Sequence, residues 1–264
     1  MRSTSPGSLP RYVLHVACVF AMAFLALGAF GAHSAAKDSN AVFAYGTPTA
    51  DYVLREGYAL STSGHSMRWV MEHLTADNFK GSATRDGDHF HPDPAQPAAC
   101  RWIDADYLHS GYDKGHGACA DDMRFSQRAM DESFLFGNTM PQTPELNRGP
   151  LRLLESHVQD LAKIDGAEIW CITGPAFLPD KHGEIRIKTI GKHLIWVPTH
   201  VWKAVLIRFQ PDRFAMKAWL LPNTDKPANY QDCETTVREI EQAAGLDLFD
   251  GLPDELEEKL ETGK

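Results

Sequence analysis

Between Gly111 and Ala118 the chain reads Gly-Tyr-Asp-Lys-Gly-His-Gly-Ala, which packs an acid, a base, three glycines and a histidine into eight residues. Gly115 and Gly117 free the backbone for a tight turn and leave His116 room to face a ligand. A histidine held in this way can act as a general base near neutral pH. The chain carries 12 histidines, so the motif alone has little weight, and a surface or capped histidine is its ordinary reading. Any fold built on this segment must present His116 on a glycine-lined bend, and the rest of the chain must supply its partners.

Two further stretches offer such partners. Phe134-Leu-Phe-Gly-Asn138-Thr-Met-Pro141-Gln142 and Glu145-Leu-Asn147-Arg-Gly149 set two asparagines around a proline-containing loop just before a helix. Neutral amide oxygens suit a hard cation that keeps most of its waters, as magnesium does. Turn formation or helix capping is the competing use of Asn138 and Asn147. Glu155 lies along the apolar stripe of its own helix, where a carboxylate is costly without a partner. A cation would supply one, and so would Arg152 or Lys163 nearby. His116, Asn138, Asn147 and Glu155 together amount to one base, one hydrated metal and one supporting carboxylate, the minimum for hydrolysing a phosphodiester.

The flanking sequence reads as a mixed α+β domain with an antiparallel core sheet. Strands are expected at 58–61, 67–71, 168–173, 194–197, 203–209 and 214–221. Helices are expected at 126–133, at 147–163 with Pro150 in its first turn, at 234–244 ending on Gly245, and at 253–262. Residues 74–100, rich in Asp, His, Pro and Gly, read as a long surface loop of the kind that often carries function.

At the N-terminus, Arg2 and Arg11 precede an apolar run from Tyr12 to Phe30, then small residues, with no acid before Asp38. That is the layout of a secretory signal. Residues 1–36 are assigned to it; cleavage after Ser34 fits nearly as well, and an uncleaved membrane anchor is the rival. Removing them takes away two arginines and no acid, moving the net charge from −9 to −11. So acidic a chain is no general polyanion binder, although a local basic cleft can still steer a polyanionic substrate. Cys100, Cys119, Cys171 and Cys233 would then remain, an even number in an oxidising compartment, where disulfides or free buried thiols are both open. No Cys-x-x-Cys pair points to structural zinc.

In order, Phe43-Ala-Tyr-Gly46, Tyr58-Ala-Leu-Ser61, Trp69, Arg85, Phe90-His-Pro-Asp93-Pro, Ala105-Asp-Tyr107, Ser110-Gly-Tyr-Asp-Lys-Gly-His116, Asn138, Pro141-Gln142, Leu146-Asn-Arg-Gly149, Leu154-Glu155 and Ile172-Thr-Gly-Pro175 resemble the DNA/RNA non-specific endonuclease family, the ββα-metal nucleases. The resemblance implies one domain over 37–264 with a ββα-metal fold, a central antiparallel sheet flanked by helices. It implies His116 as general base, Asn147 as the direct ligand of Mg2+ (or Mn2+), Asn138 beside the metal and its water shell, Glu155 as the carboxylate of that shell, and Arg85 as the phosphate-binding arginine. Lys114 stands where the family has arginine; it keeps the charge but loses the bidentate fork. Gly117 and Cys119 are further departures, and a Cys100–Cys119 bridge bracing the His116 loop is the expected pairing. His116, its second nitrogen tied to a backbone carbonyl, is expected to activate water, with Arg85 and Lys114 stabilising phosphate charge. DNA and RNA are the implied substrates, cut with weak sequence preference. The resemblance admits a homodimer and, with the signal, a periplasmic or secreted protein without stable membrane association. The competing expectation is a weakened family member that only binds nucleic acid or serves a structural role.

Overall fold

The computed structural model describes residues 41–87, 89–211 and 213–263; the secretory-signal reading of residues 1–36 lies outside them. Among the described residues no helix is long and apolar enough to cross a membrane.

Seven strands form one antiparallel sheet in the order β1-β2-β3-β6-β9-β10-β11. They are β1 (Val53–Leu54), β2 (Tyr58–Ser63), β3 (Ser66–Leu74), β6 (Glu168–Ala176), β9 (His200–Gln210), β10 (Arg213–Pro222) and β11 (Glu234–Thr235). The central strands read as unbroken apolar runs because helices and loops cover both faces; in β9 every residue from Val201 to Ile207 is buried. One face packs Val70, Leu74, Ile169, Val205 and Ile207 against Leu154, Val158 and Ala162 of the Arg152–Ala162 helix. The other packs Trp69, Trp170, Trp202 and Leu206 against Val237, Ile240 and Leu256 of the C-terminal helices. The mixed α+β expectation therefore holds.

Outside this sheet, β4 (Asp113–His116) pairs antiparallel with β5 (Thr139–Gln142), and β7 (Lys188–Ile190) pairs with β8 (Ile195–Val197). The β4–β5 ribbon, followed by the Arg152–Ala162 helix, is the ββα unit of the molecule. It differs from the glycine bend expected at His116. Gly115 and Gly117 are not among the residues with positive φ; Gly111, with φ 83°, makes the turn. Gly115 is needed for close approach, since a Cβ there would fall 2.0 Å from Cδ of Gln142. At Gly117 a Cβ would fall 2.8 Å from Val70 Cγ2. The glycines thus press the ribbon onto its neighbours.

Two helices also differ from expectation. The segment 147–163 begins as a wide π-type turn, Asn147–Leu151, broken at Gly149 (φ −108°, ψ −111°) ahead of Pro150, and becomes regular only at Arg152. The segment 234–244 opens with Glu234 and Thr235 paired to β10 at the sheet edge. Its helix starts at Val237 behind a reciprocal cap, in which Thr236 Oγ1 accepts from Glu239 N at 3.2 Å and Glu239 Oε2 accepts from Thr236 N at 3.3 Å. The left-handed Gly245 (φ 64°) ends it as expected.

The expected disulfides are absent: Cys100, Cys119, Cys171 and Cys233 are all free thiols. Cys100 sits in a small separate cluster with Trp102 and Tyr107, its thiol donating to Gly64 O at 3.1 Å. Cys119 instead lies within 3.9 Å of Gln159 Nε2 on the ββα helix, so the expected Cys100–Cys119 bridge does not form.

Candidate active site

Side chains alternate along a strand, so Lys114 and His116 leave β4 on one side and Asp113 on the other. The geometry follows that division. Phe90, from the 74–100 loop, packs its ring 5.1 Å from the His116 ring, and Lys114 Nζ stands 4.9 Å above the same Phe90 ring. Phe134 closes the other side of His116 at 5.2 Å, edge to face. The loop holds Phe90 there because its neighbour His91 exchanges backbone hydrogen bonds with the 134–136 segment: His91 N donates to Phe134 O at 3.1 Å and Phe136 N donates to His91 O at 3.0 Å. Asp93, fully buried, pairs with Arg55 and anchors the same loop.

The His116 ring is half-buried, but its Nε2 is sealed from solvent and has no hydrogen-bond partner. The expected tie from that nitrogen to a backbone carbonyl is therefore not made. Burial first, and then the charge of Arg85, lower the imidazole to about 3, so His116 is neutral at physiological pH. Arg85 is exposed, its guanidinium carbon 5.5 Å from the Phe134 ring centre, and its charge is felt at both His116 and Glu155.

On the opposite side of β4, Asp113 accepts from Asn147 Nδ2 at 2.9 Å and from Arg148 Nε at 2.9 Å and Nη2 at 2.7 Å. Burial pushes the Asp113 carboxyl up, but the hydrogen bonds from Arg148 and Asn147 outweigh it and hold the group low. Asp113, to which sequence reasoning gave no role, thereby fixes the Asn147 amide through its nitrogen. The amide oxygen is left without a partner among the described residues. Glu155 stands one turn before Gln159 on the ββα helix, and burial raises its carboxyl, with Lys203, Cys119 and Arg85 opposing that rise.

A free amide oxygen on a fixed asparagine and a carboxylate whose charged form burial disfavours fit a hard divalent cation that keeps most of its waters, which needs few protein ligands. Asn147 and Glu155 are the residues that could hold it.

Asn138 is placed differently from the expected metal-side position. It is fully buried, its Oδ1 accepts from Ala118 N at 2.8 Å, and its Nδ2 donates to Ala118 O and Ser133 O, both at 2.9 Å. With Gly117 N donating to its own carbonyl at 2.9 Å, Asn138 staples the turn that follows His116. Lys114 pairs with Asp104, so in this structure its charge is answered by an acid beside the Phe90 shelf.

Phe90 and Phe134, the walls around His116, escaped the sequence reading as functional residues. Their signal was a pair of aromatics on either side of the His116 segment, which looks the same as ordinary core.

The sequence profile of the DNA/RNA non-specific endonuclease family matches residues 38–255. Nuclease C1 of Cunninghamella echinulata var. echinulata is 34% identical over 227 residues, covering 81% of this chain and 90% of that protein. Mitochondrial endonuclease G of Bos taurus is 33% identical over 184 residues, covering 67% of this chain; the chain spans 61% of that protein's length. Among solved structures, the EndoG/EndoGI complex, described as showing the mechanism of EndoG inhibition, superposes with a TM-score of 0.76 at 29% identity, covering 83% of this chain and 95% of that one. A family match over most of the chain, on a ββα unit that carries His116, Asn147 and Glu155, settles its membership: the chain belongs to the DNA/RNA non-specific endonuclease family.

Proposed function

We propose that the protein is a divalent-metal-dependent endonuclease that hydrolyses the phosphodiester bonds of DNA and RNA with little sequence preference. The observation that carries this reading is His116, a neutral imidazole clamped between Phe90 and Phe134 beside Arg85, on the same strand as the Asp113 that fixes Asn147. His116 is the general base. With Nε2 sealed, Nδ1 is the nitrogen that takes the proton from water as that water's oxygen bonds to phosphorus. The P–O3′ bond then breaks, leaving a 5′-phosphate. Arg85 receives the extra phosphate charge as a cation already in place. Lys114 is the second cation assigned to the phosphate; in the resting protein it pairs with Asp104 beside the Phe90 shelf. Asn147 and Glu155 hold the cation, magnesium or manganese, and Asn138 keeps the His116 turn in register. When bound, the cation supplies neutralising charge for the phosphate and the leaving oxygen. Contacts of this kind read the backbone and not the bases, which is the basis for low sequence preference.

The same proposal has residues 1–36 removed on export to the periplasm or the medium, leaving a single domain over 37–264 free of the membrane and able to form a homodimer. Sequencing the N-terminus of the exported protein tests the first part, and its hydrodynamic mass the second.

The function itself is tested with plasmid DNA and with RNA, in magnesium and in chelator. Cleavage of both in magnesium alone, with 5′-phosphate ends, is the expected result. Absence of metal-dependent cleavage across mildly acidic to alkaline pH would refute it and favour a nucleic-acid-binding protein on the same fold. His116→Ala is expected to bind DNA and not cut it.

A further inference from the structure

Two lysines sit on aromatic rings of one small cluster. Lys114 Nζ lies 4.9 Å from the ring centre of Phe90 and 5.8 Å from that of Phe136. Lys188 Nζ lies 4.8 Å from the ring centre of Tyr112 and donates to Tyr112 Oη at 3.0 Å. Phe90, Phe136 and Tyr112 all pack into the cluster built on Trp102 and Tyr107, and so do Ile190 of β7 and Ile195 of β8. The β7–β8 hairpin is fastened beside the β4–β5 ribbon, because Asn223 Nδ2 donates to Pro141 O at 3.0 Å and to Pro198 O at 2.9 Å. Side chains alternate along an extended chain, so Tyr112, just before β4, continues the side that carries Lys114 and His116. At about 3.3 Å of rise per residue it stands about 13 Å along the strand from His116.

The two lysines differ in what answers their charge. Lys114 pairs with Asp104. In the loop ahead of β7, Arg186 likewise pairs with Asp180 and Glu184. Lys188 is exposed and pairs with no carboxylate among the described residues; its partner, the Tyr112 hydroxyl and ring, is neutral. The tyrosine therefore holds the ammonium in one place without cancelling its charge. A cation fixed in advance and still unanswered suits an anion, and in a chain of net charge −9 a local positive group of this kind is what can guide a polyanion. Its distance along β4 means that the phosphate it meets is not the one attacked beside His116.

We propose that Lys188, held on Tyr112, is an outer phosphate contact of the nucleic-acid cleft, binding the backbone of the same strand beyond the phosphate that is cut. This rests on the nuclease reading above. Tyr112 acts as a positioning residue: it touches the lysine and not the strand.

The test measures binding of a fluorescent single-stranded oligonucleotide by anisotropy over a range of salt, using the full chain with His116→Ala so that the strand stays uncut. Lys188→Ala, Tyr112→Leu and Lys259→Ala are each added to that parent, Lys259 lying on the C-terminal helix at the opposite face of the sheet. A lysine that neutralises one phosphate of a single strand contributes about 0.7 to the slope of log affinity against log salt. Lys188→Ala is expected to lower the slope by about 0.7, which at roughly tenth-molar salt weakens binding about fivefold. Tyr112→Leu removes no charge and is expected to weaken binding about twofold to fivefold through loss of the ring contact, while Lys259→Ala matches the parent. With His116 restored, Lys188→Ala should raise KM for the same strand about fivefold. A slope and a KM unchanged by Lys188→Ala, in a protein that does cut, would overturn the outer contact and leave the nuclease reading standing. An equal fall in slope with Lys259→Ala would mark a general charge effect and overturn it too. Failure of the unmutated protein to cut in magnesium would overturn the nuclease reading and this proposal with it.

Discussion

The depressed imidazole of His116 makes a prediction about stability that is independent of catalysis. The group sits at about 3 in the folded chain against 6.5 when free. Between those values the unfolded chain binds a proton that the native chain refuses, so the native state loses stability as pH falls below 6.5, and the loss stops near 3 where the native imidazole also charges. Each pH unit in that window is worth about 1.4 kcal/mol. At pH 5 the loss is about 2 kcal/mol relative to pH 8, a sizeable part of the roughly 5–15 kcal/mol that holds a domain folded. The perturbation is His116→Gln, which removes the titrating group and keeps a polar side chain of similar reach. The assay is urea unfolding of both proteins at pH 8, 6, 5 and 4.5 with matched slopes. Because other groups titrate alike in both, the difference in unfolding free energy isolates His116, and it should move against the wild type by about 2 kcal/mol between pH 8 and pH 5. A difference that stays flat over that range would show that the imidazole takes up protons freely in the native state and that the clamp of Phe90, Phe134 and Arg85 has been misread.

Three other perturbations probe the same architecture. Gly115→Ala drives a Cβ to 2.0 Å from Gln142 and should cost about 1–3 kcal/mol as overpacking; adding Gln142→Ala should recover much of the loss in thermal unfolding. Asn138→Ala strands Ala118 N, Ala118 O and Ser133 O, so at about 1 kcal/mol or more for each buried group it should lower stability by at least about 3 kcal/mol and reduce cleavage. Cys100, Cys119, Cys171 and Cys233 should each take up an alkylating reagent in denaturant without prior reduction; a mass deficit of two adducts would reveal a bridge that the thiol positions exclude.

The sheet was legible because its signals are local and repeated. Apolar stretches such as 203–209 read as strands, whereas the helix start behind Thr236 and Glu239 was missed because Glu234 and Thr235 pair with β10. The β4–β5 ribbon was not legible, and the reason is physical. Its glycines serve close packing against Gln142 and Val70, contacts that depend on segments distant in the chain, whereas a glycine in sequence suggests a turn. Pro141 likewise argues against a strand, yet it fits a ribbon of two strands where each has a free edge. Within the candidate site, an ordered pattern of residues singled out His116, Asn147 and Glu155 from the sequence, and their roles belong to the proposed function. Asn138 was named as well, but an asparagine that binds a cation and one that staples a turn are the same letter; only its burial and three backbone partners distinguish them.

A base at about 3 is poorly matched to work at neutral pH, and the origin of the depression indicates how the mismatch is relieved. Burial contributes the larger part and Arg85 the smaller. In the proposed reaction the substrate phosphate lies against Arg85, so the anion that is to be attacked offsets the charge that weakens the base, and its own negative charge favours the protonated imidazole further. The residue that binds the phosphate and the residue that takes the proton are then coupled through one Coulombic contact. His116 stays neutral and unreactive toward bulk protons in the resting protein and gains basicity when a phosphodiester is seated. On this view the acidity of the chain as a whole, −9 over 264 residues, is no obstacle to handling a polyanion. The charges that count are those whose fields reach His116, and among them Arg85 is placed to respond to the substrate itself.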